Sequence, residues 1–102
     1  GVCHRDLKPQ NWLLASRQPW APLRLVDFGL ARAFDRGGRR RADRVGSFYF
    51  VAPEALRGVL RGAHDARCDL WSLGVIVYIL LCGAPPFAGR TDRDILTKVA
   101  RA

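Results

Sequence analysis

The chain has 102 residues, 49% of them hydrophobic, which suits one small domain or part of a larger one and argues against disorder. Its formal net charge of +8 raises the question of nucleic acid, but much of the excess sits in Arg36, Arg39, Arg40, Arg41 and Arg44 beside Gly37 and Gly38. With no aromatic residue among them to stack on bases, they read as a solvated loop, and no nucleic-acid partner is expected.

The cysteines, Cys3, Cys68 and Cys82, are widely spaced and form neither a Cys-x-x-Cys pair nor a Cys/His cluster at metal spacing. That usage fits a reducing, intracellular compartment, cytoplasm or nucleus. No transmembrane segment is expected, because the longest apolar run, Leu70 to Cys82, is too short to span a bilayer and is interrupted by Ser72. With no Met and Gly1 in first place, the chain is expected to be the inner part of a longer one.

In chain order, Trp12-Leu13-Leu14-Ala15 and Leu23-Arg24-Leu25-Val26 read as short strands joined by a hairpin containing Pro19 and Pro22. From Phe28 to Val51 no period holds, and a long loop is expected. Pro53 to Leu56 suits one helical turn with Pro at its start. Asp69 to Leu81 is apolar nearly all round and is expected to be a helix central to a core, ended by Gly83 and Pro85-Pro86. Thr91-Asp92-Arg93-Asp94 offers a capping-box start to a last helix with Ile95, Leu96 and Val99 on one face. The order of elements describes the mostly helical part of an α+β domain.

The chemistry concentrates in His4-Arg5-Asp6-Leu7-Lys8-Pro9-Gln10-Asn11. Phosphoryl transfer to a hydroxyl needs a carboxylate to take the proton, a cation for the transferred phosphate and oxygen ligands for a hard metal ion. Asp6, Lys8 and Asn11 can supply these, and Pro9 restricts the backbone between them. Asp27-Phe28-Gly29 adds a second oxygen ligand at a strand end, with Gly29 free to take unusual dihedrals. Two oxygen donors suit Mg²⁺ or Mn²⁺ and not zinc. Taken singly, Asp6, Lys8 and Asp27 are more simply a turn carboxylate, a surface lysine and a turn acceptor.

Together they resemble the catalytic loop and the metal-binding Asp-Phe-Gly of protein kinases, and the roles follow from that resemblance. Ala52-Pro53-Glu54 is similar to the motif that closes the activation segment, and Asp69-Leu70-Trp71-Ser72-Leu73-Gly74 to the start of the central helix. Leu81-Cys82-Gly83-Ala84-Pro85-Pro86-Phe87 is similar to the turn that follows it. Motifs in this order across almost the whole chain are specific where each alone is not. Residues 1–102 are therefore expected to be a partial kinase domain of the mostly helical C-lobe, with short catalytic-loop strands and a long activation loop. The ATP-holding N-lobe and the last helices are absent from it.

The resemblance implies ATP and Mg²⁺ as cofactors, with Mn²⁺ an alternative, and a protein substrate. Asp6 is implied as the catalytic carboxylate, Lys8 as the cation on ATP phosphate, and Asn11 and Asp27 as metal ligands. Asp69 is implied to steady the catalytic-loop backbone, while His4, Phe28, Trp71 and Phe87 are packing residues. Lys8, and Ser47 ahead of Phe48-Tyr49-Phe50-Val51, resemble serine/threonine and not tyrosine kinases.

Arg5 resembles the arginine that holds a phosphorylated activation loop. Between Gly29 and Pro53, however, only Ser47 and Tyr49 carry hydroxyls, so Asp43 is expected to supply a permanent negative charge instead. The stretches Asp43 to Glu54 and Gly74 to Gly83 resemble calcium-dependent and calmodulin-dependent protein kinases. A calcium/calmodulin-like regulatory domain in the intact chain is implied. Departures from the pattern are Gln10 for Glu, Phe50 for Tyr, His64-Asp65 for Tyr-Gly, and the arginine-rich loop. The isolated segment is expected to be inactive for want of a nucleotide lid. The competing reading is a truncated, non-catalytic remnant that acts by binding partners.

Overall fold

The computed structural model describes residues 2–33, 47–56 and 67–102. Strand β1 (Val2–Cys3) pairs antiparallel with β4 (Arg32–Ala33), and β2 (Trp12–Leu14) pairs antiparallel with β3 (Leu23–Leu25). The hairpin register sets Trp12 opposite Leu25 and Leu14 opposite Leu23. Backbone bonds extend it at both ends, from Ala15 N to Pro22 O (2.9 Å) and from Val26 N to Asn11 O (2.9 Å). At its far end Ala21 N donates to Gln18 O at 3.0 Å, so Pro19 takes the second position of a β-turn, where its fixed φ is favourable.

The region expected to be one long loop contains more order than its sequence pattern suggested. Strand β4 lies inside it, and Ser47–Phe50 forms a 3₁₀ turn. A two-residue strand is too short to show alternation, so only its partner reveals it.

Helix α1 (Pro53–Leu56) is the expected single turn. Helix α2 (Arg67–Cys82) ends at Gly83, whose φ of 73° is the left-handed value that spares glycine any Cβ clash. Gly83 N donates to Ile79 O at 2.8 Å and closes the last turn. Helix α3 (Asp92–Arg101) begins with a full capping box: Asp94 N donates to Thr91 Oγ1 at 3.2 Å, and Thr91 N donates to Asp94 Oδ2 at 3.1 Å. The chain reaches α3 through Gly89, where a Cβ would stand 2.6 Å from the Asp94 Cβ, so a side chain cannot be accommodated there without displacing the helix start.

Among the described residues, the buried apolar ones are Cys3, Leu7, Ala52, Val75, Ile76, Ile95 and Val99. They join the end of β1, one face of α2, the segment before α1 and the inner face of α3. Trp71 stacks on Phe87 with ring centroids 5.8 Å apart, holding the segment after α2 back against the helix.

The expectation that α2 is central to a core needs correction for this segment. Ser72, Val75 and Ile76 are buried, whereas Leu80 and Leu81 are 77% and 81% exposed. An all-round apolar helix needs cover on every side, and the described residues cover one. Among them, no helix is long and apolar enough to cross a membrane.

Candidate active site

Asp69, in the first turn of α2, organises the segment before Asp6. Its Oδ2 accepts from His4 N at 2.7 Å and its Oδ1 from Arg5 N at 2.9 Å. Arg5 has φ 71°, the left-handed region that costs a non-glycine residue about 1–3 kcal/mol. One carboxylate thus fixes two consecutive amides across a strained backbone residue. A carboxylate is well suited to this, since charge-assisted hydrogen bonds are the stronger kind.

His4 is buried and bonded at both ring nitrogens. Asp6 N donates to Nδ1 at 3.3 Å, which leaves Nε2 to donate to Val26 O at 3.0 Å. These two bonds together suit a single tautomer. The Phe28 ring meets His4 edge-on with centroids 4.8 Å apart, although Phe28 remains 54% exposed. The imidazole therefore bridges the segment before Asp6 to the strand end before Asp27.

Asp6 lies between two side chains that follow it. Lys8 Nζ stands 2.7 Å from Asp6 Oδ2, and both side chains are mostly shielded from solvent. Asn11, buried in the 3₁₀ turn Pro9–Asn11, donates from Nδ2 to the Asp6 carbonyl at 2.7 Å. That bond sets the orientation of the amide, with Oδ1 as its acceptor end. Because Val26 N donates to Asn11 O, the hairpin brings Asp27 close after Asn11 in space, although many residues separate them in sequence.

The geometry corrects the expectation for Gly29. The unusual dihedral belongs to Asp27, with φ 63°, and not to Gly29. Asp27 tolerates that region because a short polar side chain can bond its own backbone: Gly29 N donates to Asp27 Oδ1 at 3.4 Å. Gly29 instead lies close to that side chain: a Cβ there would stand 3.2 Å from the same oxygen, a tight contact.

His4, Arg5, Asp6, Lys8, Asn11, Phe28 and Asp69 are thus joined by contacts, and Asp27 is held alongside by the hairpin. Glu54 is half-buried on α1, and no hydrogen bond or ion pair links it to Asp6, Lys8, Asn11 or Asp27. Ser47 opens the 3₁₀ turn, but its side chain lies outside the described residues. Asp43, the proposed partner of Arg5, also lies outside them, as do the arginine-rich loop and His64-Asp65.

Two features went unread in the sequence. Ser72 Oγ donates to Phe50 O at 2.7 Å and fastens the 47–52 segment to α2; the only signal was a lone hydroxyl interrupting an apolar run. Cys3 and Cys68 meet with their sulfurs 3.1 Å apart, although 65 positions separate them in sequence. Burial, and then the neighbouring Cys68, push the Cys3 thiol well above the ordinary thiol range.

Comparison with known proteins agrees with this geometry. The protein kinase domain family matches residues 1–102. The chain is 52% identical over its whole length to CDPK-related kinase 4 of Arabidopsis thaliana, and covers 16% of that protein. It is 48% identical over 99% of its length to calcium-dependent protein kinase 21 of Oryza sativa subsp. japonica, covering 17% of it. It is also 43% identical over 98% of its length to calcium-dependent protein kinase 3 of Plasmodium yoelii yoelii, covering 18% of it. The chain thus spans less than a fifth of the length of these curated relatives, and it belongs to the protein kinase domain family.

Proposed function

We propose that the protein carrying this segment is a serine/threonine protein kinase that transfers the γ-phosphoryl group of ATP to a protein hydroxyl. The supporting observation is the Asp6 carboxylate held 2.7 Å from Lys8 Nζ, on a backbone tied to Asp69 and Asn11. In this reading Asp6 accepts the proton of the substrate hydroxyl as the oxygen attacks phosphorus. Lys8 is close enough to Asp6 to balance charge on the phosphoryl oxygens between the two reacting groups.

Asn11 Oδ1 and the Asp27 carboxylate are hard oxygen donors on adjoining elements, a set that fits Mg²⁺ or Mn²⁺. When bound, such an ion neutralises charge on the ATP phosphates. Asn11 contributes by keeping its donor end on the Asp6 carbonyl, so that its acceptor end stays available. His4 contributes by fixing the distance between the Asp6 segment and the strand end that carries Asp27.

The specificity for serine and threonine rests on Lys8 and Ser47. Control by calcium, through a calmodulin-like regulatory domain, rests on the calcium-dependent kinases that the chain is similar to. A cytoplasmic or nuclear location is supported by the cysteine usage. The reading is tested by replacing Asp6 with Asn in the full-length protein and measuring phosphate transfer to serine, threonine and tyrosine peptides with and without calcium. A fall in kcat of about 10²–10⁴-fold is expected for loss of a general base. Undiminished transfer in D6N removes Asp6 from that role, and transfer to tyrosine alone removes the specificity.

A further inference from the structure

Phosphotransfer makes no use of the thiols of Cys3 and Cys68, yet the fold brings them together at the base of the site. Cys3 is the residue before His4 and is 1% exposed, at the end of β1. Cys68 is the residue before Asp69 and half-buried in the first turn of α2. Their sulfurs are 3.1 Å apart, about 1 Å more than a disulfide bond. Both neighbours are already fastened, because Asp69 holds His4 N at 2.7 Å and Arg5 N at 2.9 Å. The backbone thus keeps the two thiols side by side, with their sulfurs about 1 Å beyond bonding distance.

A metal ion is the competing occupant, since Cys3, Cys68 and Asp69 present ligand atoms within 4.8 Å of one another. Both Asp69 oxygens, however, are engaged by backbone amides. That leaves two thiols, short of the four ligands a structural zinc ion takes.

We propose that Cys3 and Cys68 are a redox modification site, forming a reversible disulfide on two-electron oxidation by a hydroperoxide. The sulfur of Cys68, the less buried residue of the two, attacks a peroxide oxygen; the S–O bond forms as the O–O bond breaks, leaving a sulfenic acid and water. The Cys3 sulfur then attacks the Cys68 sulfur. The S–S bond forms, the S–O bond breaks, and the departing hydroxide takes the Cys3 proton to leave as a second water. Two thiols are oxidised and one hydrogen peroxide is reduced. The product is a covalent staple across 65 positions, parallel to the Asp69 clamp, between the segment that carries Asp6 and helix α2.

The test needs no phosphotransfer. The full-length protein is treated with hydrogen peroxide, denatured, alkylated and digested with trypsin. The expected result is a peptide ending at Arg5 joined to the Cys68–Arg90 peptide, lighter by two hydrogens than the sum of the two and separated again by dithiothreitol. Cys82 lies in that same peptide, so the experiment is repeated on C82S, where the link must persist. Complete alkylation of Cys3 and Cys68 after peroxide overturns the proposal. So does a link through Cys82, or oxidation of Cys68 to sulfinic acid without a link.

Discussion

Replacing Asp69 with Ala removes the acceptor of two backbone amides at once, at 2.7 and 2.9 Å. A buried donor left unsatisfied costs about 1–3 kcal/mol, so the pair is worth about 2–6 kcal/mol of local stability. Water entering the vacated space recovers part of that, which makes the lower end, about 2 kcal/mol, the figure to test. Arg5 adds to the effect, because its left-handed backbone loses the bond that holds it.

The readout is amide hydrogen exchange at His4 and Arg5 in the full-length protein, with and without the substitution. A loss of about 2 kcal/mol in local opening free energy corresponds to roughly 30-fold faster exchange. Activity should fall as well, because Asp6 follows directly on the released segment and small displacements are costly where catalysis depends on position. Unchanged exchange at both amides in D69A would refute the reasoning, whatever became of activity. D69N is the informative intermediate: it keeps one acceptor but turns a donor toward the second amide, and should lose protection at one of the two positions.

Substitution of Ser72 by Ala removes the only side-chain bond to Phe50 O among the described residues; a loss of about 1–3 kcal/mol is expected in denaturant unfolding, with faster proteolysis around residues 47–52. Thr91→Ala removes the Oγ1 half of the capping box of α3, leaving the bond from the residue 91 amide to Asp94 Oδ2, and should lower stability by about 1 kcal/mol, read as a shift in denaturation midpoint, with T91S restoring most of it. Asn11→Ala withdraws one proposed metal oxygen together with the bond to the Asp6 carbonyl. It should raise the Mg²⁺ concentration needed for half-maximal phosphotransfer, and an unchanged metal dependence would remove Asn11 from the ligand set.

The elements with a local signal were readable from the sequence. The β2–β3 hairpin follows from two apolar runs around Pro19 and Pro22, and the capping box of α3 is written in Thr91 and Asp94. The stop of α2 is written in Gly83. Features that depend on distant partners were not readable. Pairing of Val2–Cys3 with Arg32–Ala33 leaves no periodic trace, and the sulfur contact of Cys3 with Cys68 needs the fold to bring both ends together. The left-handed conformation of Asp27 was misread onto Gly29 because glycine is the residue ordinarily associated with it; here an Asx-type bond carries the strain instead. The resemblance to kinases supplied roles for Asp6, Lys8, Asn11 and Asp27, whereas the hydrogen bonds explain how such short segments can be held in place.

The first two turns of α2 do two separate jobs with side chains three positions apart. Asp69 accepts from the amides of His4 and Arg5, and Ser72 donates to the carbonyl of Phe50. Residues at that spacing lie on one helical face, so one rigid turn holds both the segment that carries Asp6 and the segment that leads to Glu54. Neither segment has regular structure long enough to fix itself: one has a two-residue strand and a 3₁₀ turn, the other a 3₁₀ turn and a single turn of helix. Both depend on α2, whose length and closed C-terminus give it the stiffness they lack. A polar residue in an otherwise apolar helix is commonly a cost to burial. Here Asp69 and Ser72 each find a backbone partner on a different segment, and the N-terminal end of the face that buries Val75 and Ile76 is polar for that reason.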